Sequence, residues 1–176
     1  MQLDLDTCEL VISAHRKHGA TTFGKIAQSL IAITLHSLDW KNIRNHLSED
    51  ADLDAISGED RKYTLEIKTS VFPDLNIQDK DIVSLQQRKI DGYNGYFTVM
   101  RVGKQAEWFA TPYTAEKFPV GKIPFVHFRM LRDVALSDLL NHRFPDILSN
   151  HYEDINKYGL PGLRKIMDRM GIESVE

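Results

Sequence analysis

Cysteine is nearly missing from this 176-residue chain, with Cys8 the only one. Intrachain disulfides and thiolate zinc clusters are thereby excluded, and a reducing, cytoplasmic compartment is the expectation. Cys8 itself reads as a packing residue on a helix face rather than a nucleophile. Long apolar runs are missing too, and the opening MQLDLDTCEL has neither the basic nor the apolar part of a signal peptide, so no membrane partner is expected. Charge of neither sign dominates, since 22 lysines and arginines against 25 acids leave a net charge of −3. A globally basic surface is therefore no argument for nucleic acid, although local basic patches can still meet phosphates. No glycine-rich phosphate loop, zinc-protease helix or nucleophile elbow occurs, nor does any repeat, linker or low-complexity tract.

What is present suits one domain over residues 1–176, because 42% hydrophobic content at this length is enough for a real core. Asp6 or Thr7 is placed to cap a first helix, which runs to about His18 and breaks at Gly19. A second begins at Thr21 or Thr22, and FGKIAQSLIAITLHSL is apolar around most of its circumference, which predicts a buried helix. Asp79 to Ile90 reads as a helix with Ile82, Leu85 and Ile90 inward, followed by strands at Tyr96 to Val102 and Ala106 to Thr111. Phe125 to Leu131 reads as a further strand, and residues 133–176 as a helical C-terminal segment broken at Gly159, Pro161 and Gly162. The core is expected within roughly 20–131.

The segment ADLDAISGEDRKYTLEIKTS contains two alternating runs around Gly58, Glu59 and Asp60, the pattern of a β-hairpin. Successive strand residues point to opposite faces, so Glu66 and Lys68 share one face while Leu65 and Ile67 share the other. A loop over Glu59 to Arg61 sets Asp54 opposite Glu66, Asp52 opposite Lys68, Leu53 opposite Ile67 and Ala55 opposite Leu65. One face is then apolar and the other gathers three acids and a lysine, and a one-residue slip would scramble both. Alternating charge is also what a solvated strand face shows. Two acids directly opposite each other repel, however, unless a cation lies between them, which points to a metal.

A helix, a hairpin bearing Asp54 and then Glu66-Ile67-Lys68, a helix and a strand resemble the PD-(D/E)xK nuclease superfamily, in the style of small type II restriction endonucleases. The resemblance spans roughly Phe23 to Thr111. It implies an α/β restriction-endonuclease-like core, a mixed central sheet flanked by helices. Asp54 takes the place of the family's first acid, with Asp52 a second candidate. Many members carry a glutamate on the preceding helix where this chain has Gln28, and the family's proline before the first acid is replaced by Ala51 or Leu53.

The resemblance implies a Mg²⁺-dependent endodeoxyribonuclease, with Mn²⁺ able to substitute. Asp54, Glu66 and the Ile67 carbonyl are then the metal ligands, a hard oxygen set that suits Mg²⁺. Lys68 positions the attacking water or stabilises the phosphate, Asp52 orients Lys68, and Gln28 positions a water or the metal shell. Double-stranded DNA is the expected partner and a homodimer the expected assembly, because cutting both strands of a symmetric site needs two copies. Ser70, Gln87, Arg88 and Lys89 are the candidates for DNA contact. A structure-selective nuclease of the Holliday-junction-resolvase kind, or a nonenzymatic DNA-binding module, would use the same fold. The basic helix around Ile166, Met167 and Met170 fits a dimer element, a DNA clamp or a plain core helix. His15 with His18 fits a solvated basic face as well as a metal pair. Asn45-His46 and Asn150-His151 are fragments of an HNH pattern without its second histidine strand.

Overall fold

The computed structural model describes residues 2–46 and 51–175. Its chain order is α1 (Leu5–His36), β1 (Lys41–His46), β2 (Leu53–Ile56), β3 (Lys62–Ser70), β4 (Asp74–Ile77), α2 (Asp79–Ile90), β5 (Asn94–Arg101), β6 (Trp108–Pro112), β7 (Gly121–Pro124), α3 (Phe125–Leu131), α4 (Val134–Tyr158), α5 (Leu160–Met170) and β8 (Glu173–Val175). Six strands form a sheet in the order β6-β5-β3-β2-β1-β8, and β4 pairs with β7 in a separate ribbon. The sheet is mixed: β3 runs parallel to β5 and β1 parallel to β8, while β1 with β2, β2 with β3, and β5 with β6 are antiparallel. A parallel β3 and β5 require a crossover, and α2 supplies it.

α1 bends at Gly19, whose φ of 77° only glycine adopts without strain, so the expected break is real. Its N-cap is Asp4 rather than Asp6 or Thr7, with the Asp4 carboxylate accepting from the Thr7 amide at 2.7 Å. Beyond the kink the helix is buried almost all round, Ile26, Ala27, Ile31, Ala32, Ile33 and Leu35 being wholly enclosed. It packs on α4 and α5 over the sheet face that carries Leu53, Ala55, Leu65 and Ile67. The opposite face is covered around Leu85, Phe97, Val99, Phe118 and Phe128. Burying an aromatic of that size contributes on the order of 1.5–3 kcal/mol, so the sheet is held from both sides.

Further expectations are corrected. Phe125 to Leu131 is a short helix with Phe125 and Phe128 inward, three residues apart on one helical face, not a strand. Ile90 ends α2 at 79% exposure, leaving Leu85 and Ile82 to pack. The hairpin is also paired differently: Leu53 faces Leu65, Asp54 faces Thr64 and Ala55 faces Tyr63. The Ser57 amide bonds the Arg61 carbonyl at 2.9 Å, which closes the loop over Gly58 to Asp60, of the same length as the expected Glu59 to Arg61 but one residue earlier, and moves the register by two residues. An even shift keeps every side chain on its face, so the apolar and charged faces survive while their partners change. The C-terminal segment is helical as expected, except that β8 returns to the sheet beside β1. Gly162 lies within α5, not at a break.

Candidate active site

With the register moved, the acid that faces Glu66 is Asp52, at the entry to β2. Its carboxylate accepts a 2.7 Å hydrogen bond from the backbone amide of Ile67, at the middle of the acid-x-lysine triplet. A strand residue directs its amide and carbonyl to the same side, so the Ile67 carbonyl also faces the start of β2. Lys68 lies 3.0 Å from Glu66 and 2.8 Å from Asp81, making one ammonium the hub of two buried carboxylates. Asp81 was not among the sequence candidates. It belongs to the first turn of α2, where it also accepts from the Gln78 amide at 2.9 Å in a capping box. The Gln78-x-x-Asp81 spacing ahead of a helix was the available signal.

Burial pushes the Glu66 carboxyl up to about 8, with Asp52 and Asp81 adding to it and Lys68 opposing. Asp52 is raised to about 6, again by burial first, against the Ile67 amide bond and Lys68. Burial pulls Lys68 down, but Glu66 and Asp81 outweigh it and hold the ammonium above its ordinary range. Two carboxyls driven up in each other's presence form an arrangement that a cation relieves. Among the described residues no three His, Cys, Asp or Glu side chains form a metal cage. Mg²⁺ keeps several waters and needs only one or two carboxylates, so Asp52, Glu66 and a backbone carbonyl fit its chemistry.

Asp54 sits in a different cluster on the same sheet face. Its carboxylate is 3.1 Å from His46 Nε2 and 3.0 Å from Arg88, and it is 1% exposed. Its second oxygen, Oδ1, is buried with no hydrogen-bond partner among the described residues. Arg88 comes from α2, two turns beyond Asp81, so one helix face reaches both clusters and ties α2 to the hairpin. Gln28 is buried, and its amide nitrogen meets Asn45 Oδ1 at 2.6 Å, the His46 carbonyl at 2.6 Å and the Asp52 carbonyl at 2.8 Å. Three acceptors around one nitrogen identify it as the donor end. Gln28 therefore binds the end of β1 to the entry of β2 and fixes the backbone that carries Asp52.

The remaining candidates are dispersed. Ser70 accepts from the Phe72 amide at 3.0 Å, and Gln87 and Lys89 lie exposed on α2. His15 packs against Phe23 and His18 lies beside Gly159, while Ile166 and Met167 are buried against the core. Cys8 is buried as expected, and burial raises its thiol. No helix among the described residues is long and apolar enough to cross a membrane.

No family model matches the chain, and no curated protein matches it. Among solved structures, Hjc, a Holliday junction resolvase from the archaeal hyperthermophile Archaeoglobus fulgidus, superposes on 61% of this chain and 89% of its own. The TM-score is 0.49 and the sequence identity 14%.

Proposed function

We propose that the chain is a metal-dependent DNA endonuclease in which Asp52, Glu66 and the Ile67 carbonyl hold Mg²⁺ or Mn²⁺. The observation that carries the reading is the convergence of Asp52, Glu66 and Lys68 around the Ile67 amide, on one partly buried sheet face. When bound, the metal supplies a water of lowered pKa and neutralises charge growing on the scissile phosphate. Lys68, fixed at 2.8 Å by Asp81 and protonated, faces that phosphate as an electrostatic clamp rather than a general base. Asp81 orients Lys68, the role first considered for Asp52. Asp54, with His46 and Arg88, braces α2 against the hairpin, and Gln28 sets the position of Asp52. Arg88 and Lys89 on α2, with Ser70 after β3, are the nearby groups for DNA backbone contact.

Between the substrates considered, a structure-selective action is preferred to a restriction-type one. It is favoured by a cavity that continues from Lys68 past the exposed ring of Phe72. Paired cuts in two strands require two copies, so a homodimer belongs to the proposal. The test is digestion of linear plasmid, flapped duplex and four-way junctions with Mg²⁺, beside Glu66→Ala and Lys68→Ala proteins. Branched DNA is cut by the wild type and by neither variant. Undiminished cutting by both variants overturns the site, and discrete fragments from plain plasmid return the restriction reading.

A further inference from the structure

A cavity of about 480 Å³ opens beside Lys68 and runs under the bend between β3 and the β4–β7 ribbon. Its wall includes Ser70, Phe72, Asn76 and Lys122. Phe72 is 67% exposed. A lone exposed apolar side chain is ordinary on a protein surface. This one is distinguished by its mounting. The Phe72 amide donates to Ser70 Oγ at 3.0 Å, the Ser70 carbonyl is held by the Val102 amide at 2.8 Å, and the Pro73 carbonyl by the Phe125 amide at 3.1 Å. The backbone is thus anchored on both sides of the ring, four residues after Lys68. Asn76 and Lys122 are direct cross-strand partners in the ribbon, so their side chains share a face. Lys68 and Lys122 line the same cavity as Phe72, which sets cationic side chains beside an exposed ring.

We propose that this cavity is a nucleotide subsite, in which Phe72 stacks on an unpaired DNA base next to the scissile phosphate. The inference rests on the nuclease reading above and names its substrate as DNA with a single-stranded nucleotide at the cut. A paired base inside a duplex has both faces covered by its neighbours, so only an unpaired one can lay a face on Phe72. Asn76 offers hydrogen bonds to the base edge and Lys122 meets the adjoining phosphate.

The test uses the full chain with Glu66→Ala, which leaves DNA uncut, and a flapped duplex carrying 2-aminopurine as its first unpaired nucleotide. Binding quenches the fluorescence. Adding Phe72→Ala abolishes the quench and weakens flap binding about 10-fold, the scale of one base stacked on an aromatic ring, while Phe72→Trp retains both. In otherwise wild-type protein, Phe72→Ala slows cutting of flapped DNA and spares any cutting of plain duplex. An equal quench in the Phe72→Ala protein overturns the subsite, as does a uniform loss on all substrates. A changed oligomeric mass by light scattering also overturns it, by assigning Phe72 to a contact between copies. If the wild type cuts no DNA but the Phe72-dependent quench persists, the nuclease reading fails and the subsite stands.

Discussion

The carboxylate of Asp52 and the backbone amide of Ile67 are joined by a hydrogen bond of 2.7 Å. The bond locks the acid entering β2 to the strand carrying Glu66 and Lys68, so both carboxylates are held in place for the proposed cation. Preorganisation of that kind matters because misplacing a ligand by about 1 Å is costly in rate. The raised carboxyls of Asp52 and Glu66 are the energetic trace of holding them there without a metal.

Asp81 acts through Lys68 and through the helix cap. Asp81→Asn keeps an oxygen for the Gln78 amide but loses the charge that holds Lys68. Thermal stability should fall by about 1–3 kcal/mol from the lost ion pair, while kcat on DNA drops about 10-fold or more with KM little changed. Steady-state kinetics beside a melting curve separate the two effects. Equal kcat in the variant removes Asp81 from the account.

Gln28 stands where the nuclease resemblance of the sequence leads one to expect a glutamate, yet Gln28→Glu is not expected to improve metal binding. A carboxylate there would face the His46 and Asp52 carbonyls and Asn45 Oδ1, all within 2.8 Å of the present amide nitrogen. The variant should lose roughly 2–4 kcal/mol of stability by leaving these acceptors opposed. Chemical denaturation measures that loss. A Mg²⁺ affinity raised without loss of stability contradicts the placement.

The pH dependence of stability has an unusual sign at this site. Glu66 titrates near 8 in the folded protein against an ordinary 4.5, and Asp52 near 6 against 3.8. Between those values the folded chain holds protons that the unfolded chain has released. Its stability therefore falls as pH rises from about 4.5 to about 8. Glu66→Gln should flatten this decline and raise the metal-free melting temperature at pH 8 by several degrees, equivalent to on the order of 1–3 kcal/mol. Mg²⁺ should stabilise the wild type at pH 8 more than at pH 6 and leave the variant unmoved. Scanning calorimetry with and without Mg²⁺ gives both comparisons, and parallel pH profiles for the two proteins contradict it.

Much of this was legible in residue pattern, and the failures have identifiable causes. Alternation in Leu53, Ala55, Leu65 and Ile67 assigned the faces correctly because it depends only on parity. Partners depend on where the loop is centred, which the Ser57 to Arg61 bond sets over Gly58 to Asp60, the cluster between the two runs, one residue before the Glu59 to Arg61 loop chosen for the pairing. That is why Asp54 stood where Asp52 lies. β1 was missed because Ile43 is its one buried apolar residue, while Asn45 and His46 are held by Gln28 and Asp54 rather than by apolar packing. α3 was misread because seven residues with phenylalanines three apart also suit a strand. Asp81 escaped because a surface acid in a helix's first turn normally serves only the cap, and its second role needs Lys68 brought to it by the crossover.

The claim most exposed to test is that Asp52, not Asp54, holds the metal with Glu66. The measurement is Mn²⁺ binding by electron paramagnetic resonance on wild type, Asp52→Asn and Asp54→Asn at pH 8. Asp52→Asn should abolish binding, whereas Asp54→Asn should retain it within a few-fold and lose about 1–3 kcal/mol of stability from the weakened contact to Arg88. Binding retained in Asp52→Asn and lost in a folded Asp54→Asn protein would contradict the account.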